Sequence, residues 1–137
     1  MPLFEWSDDY ETGIPDIDKD HKEIFSLINR LHDSPKKFFS QSEIEEVIAR
    51  LLAYVRYHFE REENLLSVIG YGELESHAAS HKALAKQMND YAQLYRSYPE
   101  AFEMDNFISF LTDWLKTHIL VSDLAYLAAV KSHLNRL

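Results

Sequence analysis

AYVRYHFEREENLLSVIGYGELESHAASH, residues 53–81, holds two polar pairs at helical spacing: His58 with Glu62, and His77 with His81. Residues four apart lie one above the other on a single helix face. Between the pairs sits Gly70-Tyr71-Gly72, a turn signal. A short turn makes two helices antiparallel neighbours, so the end of one and the start of the next come to the same level. The surrounding apolar rows agree. Ile44, Ile48, Leu51, Val55, His58, Glu62, Leu65 and Ile69 alternate in steps of four and three. Leu74, His77, His81, Leu84, Met88, Tyr91 and Tyr95 do the same. Each row is the inner seam of a bundle helix, which predicts helices over 43–69 and 73–95. Ser42 with Glu45 reads as a capping box for the first of these. A carboxylate inside such a seam requires a partner, because an unpaired buried charge is strongly unfavourable. Glu60 and Glu63 fall off the seam and read as solvated surface.

Outward from this stretch, Ile17, His21, Ile24, Ile28 and Leu31 form one more seam and predict a helix over 18–32, stopped by Ser34-Pro35. A loop around Pro99 precedes a fourth helix from Met104 or Asp105, with Phe107, Leu111, Trp114 and His118 on its seam. Asp123 follows His118 by five residues, about 500° on a regular helix, which turns it ~140° away. Both residues reach one site only if the helix loosens, so a π-bulge or break is expected within 119–123. A last helical piece is expected over 124–134. Residues 1–16 show no helical period and read as an irregular arm, pinned by Phe4, Trp6 and Ile14.

The expected fold is therefore all-α: one domain over 1–137, an up-down-up-down four-helix bundle with an irregular N-terminal arm and a short C-terminal helix. Antiparallel order brings His21, His58, Glu62, His77, His81, His118 and Asp123 to one end. His32 and His133 fit no seam position near them and read as ordinary exposed histidines.

Composition narrows the function. The chain of 137 residues has a formal charge of -9, which argues against nucleic acid and anionic membrane as partners. It has no cysteine, which removes disulfides and thiolate metal sites and fits a cytoplasmic location. No apolar run approaches the ~18 residues of a membrane span, and the acidic, aromatic start does not read as a signal peptide.

Five imidazoles and two carboxylates are too many for one tetrahedral zinc. Two bridging carboxylates, five terminal imidazoles and one bridging solvent oxygen instead fill all but one position of two octahedral metals. That donor set suits iron, with Mn, Zn or Co as alternatives. One open position is what a small ligand needs. Phe59, Trp114, Leu115 and Ile119 are first of all core residues, and would also wall the open position.

The order His21, His58-x-x-x-Glu62, His77-x-x-x-His81, His118-x-x-x-x-Asp123 resembles the hemerythrin family, specifically its bacterial members. Trp6…Gly13-Ile14…Asp18…His21, His58-Phe59-x-x-Glu62-Glu63 and Trp114-Leu115-x-x-His118-Ile119 are similar to that family's pattern too, so the likeness spans nearly the whole chain. It departs at Leu66, where Met is frequent, and at Gly72, where Pro is frequent. Myohemerythrin is itself a four-helix bundle, so the family resemblance and the fold expectation are not independent. The resemblance implies two irons with an oxo or hydroxo bridge. It assigns His77, His81 and His118 to one, His21 and His58 to the other, and Glu62 and Asp123 as bridges. It further implies O₂ as the ligand, drawing one electron from each iron, with Ile24 joining Phe59, Trp114, Leu115 and Ile119 around it. An apolar, dry pocket keeps such binding reversible. Tyr126, about a turn beyond Asp123, is a candidate hydrogen-bond donor or a packing residue.

The seams hold no evident general acid or base, so binding rather than catalysis is expected, for oxygen storage, delivery or sensing by a monomer. Two alternatives stand beside it. A di-iron oxidase or iron-handling protein would be richer in carboxylates and use Glu-x-x-His pairs. A metal-stabilised bundle could act through a partner protein that receives oxygen or a signal.

Overall fold

The computed structural model describes residues 5–135, apart from the side chains of residues 121–125. Five α-helices follow in order: α1 (Pro15–Asp33), α2 (Gln41–Val68), α3 (Leu74–Ser97), α4 (Met104–Thr117) and α5 (Leu124–Asn135). The first four form the up-down-up-down bundle. α1 packs on α2 and α4, and α2 packs on α3. α3 closes on α4 through Tyr91, whose ring centroid lies 4.9 Å from that of Phe107 and 5.1 Å from that of Phe110.

The inner seams are buried as their periodicity requires. Ile24, Ile28 and Leu31 of α1, Leu51 and Val55 of α2, Leu84 and Met88 of α3, and Phe107 and Leu111 of α4 belong to one continuous core. A smaller apolar cluster of Leu66, Tyr126 and Val130 lies toward the opposite end, backed by Ile14, Leu65, Ile69, Tyr71 and Leu74. Leu66 is fully buried where the seam called for Leu65, which is half-buried together with Ile69. The α2 stripe rotates at its end to meet α5.

Helix ends follow local chemistry. α1 begins at Pro15, three residues ahead of expectation, because the fixed φ of proline suits the first helical position. The arm before it is not wholly irregular: Asp8–Tyr10 forms one 3-10 turn. Trp6 packs its ring 5.4 Å from Phe25, which pins the arm; Phe4 lies outside the described residues. The capping box of α2 is Ser40 with Glu43, not Ser42 with Glu45. Both pairs match the motif, but Ser40 holds the extended backbone that a cap needs, and Ser42 is already inside the first turn. α2 ends in a Schellman motif, with Gly70 N–H bonded to Ser67 O (3.2 Å) and Tyr71 N–H to Leu66 O (3.0 Å). Gly70 takes φ +67° there, and this reversal brings the end of α2 and the start of α3 to one level. Between α4 and α5 the chain is π-helical over His118–Asp123, where the five-residue spacing required loosening.

Candidate metal centre

Five imidazoles and one carboxylate meet between the two apolar clusters. Glu62 Oε1 is the hub. It lies 3.0 Å from His118 Nε2, 3.2 Å from His81 Nε2, and 3.5 Å from both His58 Nε2 and His77 Nε2. His21 Nε2 joins through His58 Nε2 at 3.0 Å. All six residues are buried. Their donor atoms fall into two overlapping sets, His21/His58/Glu62/His118 and Glu62/His77/His81/His118, each with all atoms within 4.8 Å of one another. Asp123 ends the π-helical segment. Its side chain lies outside the described residues.

The buried hydrogen bonds fix which nitrogen of two imidazoles faces the centre. His58 Nδ1 lies 3.2 Å from Asp20 Oδ2, and His81 Nδ1 lies 3.1 Å from Glu63 Oε2. A carboxylate oxygen accepts, so each Nδ1 donates to it and each Nε2 is left facing the centre. Glu63 is thus a half-buried partner of His81 rather than free surface, whereas Glu60 is exposed as expected. Asp20 is buried and escaped the seam reading, because it lies one step before His21. It also contacts Arg61 Nε at 2.9 Å, an ion-pair contact too bent to count as a hydrogen bond. Tyr126 O–H donates to Glu62 Oε2 at 2.9 Å. A phenol one turn past Asp123 was the only sequence sign of this bond.

Burial keeps two of the imidazoles, those of His21 and His118, neutral. Burial, and then His58, push His21 down to about 2. Burial likewise brings His118 down to about 4, against the pull of Glu62. Burial works to raise Glu62, but the facing His118 and His58 hold its carboxyl well below the usual range. Near neutral pH Glu62 is ionised and His21 and His118 are neutral, the protonation state that metal ligands need.

Two of the aromatic rings expected around the centre pack on its imidazoles. Phe59 stacks on His81 with centroids 3.8 Å apart and planes 4° apart. Trp114 stacks on His118 at 5.3 Å; it is half-buried rather than core. Ile24, Leu115 and Ile119 are fully buried. His32 and His133 are half-buried rather than exposed, and neither belongs to the ligand sets.

The donor set itself fits metal ions. His81 Nε2 is buried without a hydrogen bond although Glu62 Oε1 is 3.2 Å away, and one carboxylate oxygen faces four imidazole nitrogens. His81 Nε2 is left without a hydrogen bond here, whereas a cation at the centre would satisfy it. No described helix is long and apolar enough to cross a membrane.

Known proteins share this plan. The family model described as the hemerythrin HHE cation binding domain matches residues 12–130. A bacteriohemerythrin from Clostridium acetobutylicum is 30% identical over 128 residues, covering 91% of this chain and 99% of the relative. One from Pseudomonas aeruginosa is 33% identical, covering 96% of this chain and 84% of the relative. A crystal structure of wild-type hemerythrin is 30% identical, with a TM-score of 0.85 over 93% of this chain and 98% of that one.

Proposed function

The chain belongs to the hemerythrin family, and we propose that it binds O₂ reversibly at a non-haem di-iron centre, for oxygen storage, delivery or sensing. The ligands would be His21, His58, His77, His81, His118, Glu62 and Asp123, with Glu62 and Asp123 as bridges. The observation that carries this reading is the hub: one buried carboxylate oxygen of Glu62 within 3.0 to 3.5 Å of four imidazole nitrogens, shared by two ligand sets. When bound, the irons supply the two electrons that reversible oxygen capture draws on.

Everything else falls to this chain's own residues. Asp20 and Glu63 accept the Nδ1 protons of His58 and His81 and so hold their Nε2 atoms toward the centre. Tyr126 holds the second oxygen of Glu62, which limits how the bridge can swing. Ile24, Leu115 and Ile119 exclude water, and the rings of Phe59 and Trp114 cover the imidazole faces. A dry pocket without a mobile proton source favours release of O₂ unchanged over its reduction. On this reading the protein is a carrier or sensor rather than an enzyme. It works as a cytoplasmic monomer that passes oxygen or a signal to a partner protein.

The test is a visible spectrum of the purified chain, reduced without air and then exposed to it, with iron counted on the same sample. About two irons per chain and an absorption change that reverses when O₂ is removed are expected. Two irons that oxidise irreversibly would transfer the reading to an oxidase, and a chain that takes up no iron would remove it.

A further inference from the structure

The two sides of the centre are held differently. His81 leans on Glu63, whose side chain is 35% exposed. His58 leans on Asp20, whose side chain is 1% exposed and is itself met by Arg61. Arg61 in turn has three further contacts, one to Asp16 and two to Tyr57. Its Nη1 lies 3.3 Å from Asp16 Oδ2, its Nη2 donates to Tyr57 O–H at 2.6 Å, and its guanidinium carbon sits 4.8 Å from the centre of the Tyr57 ring. Asp16 and Asp20 are one turn apart on α1, and Tyr57 and Arg61 are one turn apart on α2. The four side chains form a clamp across the two helices that carry His21 and His58.

We propose that Asp20 and Arg61 are a positioning pair for one of the two metals, the one bound by His21 and His58. This rests on the two-metal reading above and adds to it an asymmetry between the halves. A ligating imidazole must carry its proton on the nitrogen facing away from the metal, and in a buried place that proton needs an acceptor. Asp20 is the acceptor for His58. A buried carboxylate alone is costly, and Arg61 supplies its counter-charge while keeping three other contacts that hold it in place. The same tautomer explains the 3.0 Å contact between His21 Nε2 and His58 Nε2. With the His58 proton on Nδ1, its Nε2 can only accept, and the proton between the two rings belongs to His21.

Asp20→Leu removes the acceptor while keeping the number and branching of the side-chain heavy atoms, and Asp20→Asn keeps an oxygen acceptor without the charge. Full-length chains are loaded anaerobically with Fe²⁺ and titrated with a chelator. Wild type is expected to hold two equivalents. Asp20→Leu should release one of them about 10–100-fold more readily while the other is unchanged, and Asp20→Asn should follow wild type within a few fold. A second measurement needs no variant. In the wild-type chain loaded with Zn²⁺, nitrogen-edited NMR should find a slowly exchanging proton on His58 Nδ1. Two equivalents in wild type with unchanged release from Asp20→Leu would overturn the inference alone, as would a His58 Nδ1 proton that exchanges freely. Fewer than two equivalents in wild type would overturn the two-metal reading and this inference with it.

Discussion

Glu62 Oε1 has four imidazole nitrogens within 3.0 to 3.5 Å, and that crowding of ligand atoms around one oxygen is the chemistry of the site. Glu62→Ala should remove the hub of both ligand sets. The expected result is iron falling from about two per chain to near zero, with a lower melting temperature, because metal binding and folding are coupled. An unchanged iron count in that variant would contradict the proposed ligand set. Tyr126→Phe is gentler. It removes the donor to Glu62 Oε2 and should cost about 1–3 kcal/mol in denaturant titration while leaving the iron count intact. Both residues show what a sequence reveals at this scale. Glu62 was legible because a carboxylate interrupts an apolar row of known period. Asp20 and Arg61 were not, since each sits next to a seam position and looks like a solvated charge. Their partners, His58 and one another, are contacts between helices that no spacing along one helix records.

At the scale of elements, spacing carried most of the fold, and competing signals carried the errors. Alternating steps of four and three identified all four bundle helices, and the five-residue gap from His118 to Asp123 located the π-helical segment. The capping box was displaced by two residues because Ser40 and Ser42 each precede a Glu by three; backbone conformation, not side-chain type, decides between them. The π-helix makes a sharp prediction. A π-bulge is one extra residue in a regular helix. Deleting Leu120, which is 43% exposed, should restore an α-helix with His118 and Asp123 four apart, and iron should be retained. Adding one alanine after Leu120 should lose it, since a gap of six brings back the mismatch. Equal iron in both variants would sink the account of this segment. At the other reversal, Gly70 has φ +67° with nothing within 4 Å of an added Cβ. Gly70→Ala should therefore cost only the left-handed backbone, about 1–2 kcal/mol, read as a lower melting temperature.

For the whole molecule, the design problem is a polar layer set between two apolar clusters. Two imidazoles of that layer, His21 and His118, are held neutral by burial, and this fixes how their contribution to stability depends on pH. His118 is depressed to about 4 and His21 to about 2 from an ordinary value of 6.5, with burial the main cause in each. Above 6.5 neither state binds these protons and they contribute no slope. Below 6.5 the unfolded chain takes up both and the folded chain does not, so stability falls with pH. Each imidazole contributes up to ~1.4 kcal/mol per pH unit. The His118 contribution ends at about 4, while that of His21 continues toward about 2. Glu62 acts in the same direction in a lower window. Its carboxyl is held below the ordinary 4.5, so its contribution is present above that value and is lost as pH falls through the folded range. The metal-free chain should therefore lose stability steadily from about pH 6.5 downward, as denaturant midpoints across pH 8 to 4 would measure. Bound metal should move the onset of this loss to lower pH, because protons must then displace a cation before they reach the imidazoles. A metal-free chain equally stable at pH 7 and pH 4.5 would mean that His21 and His118 are charged or solvated in the folded state, and the packed polar layer would have to be redrawn.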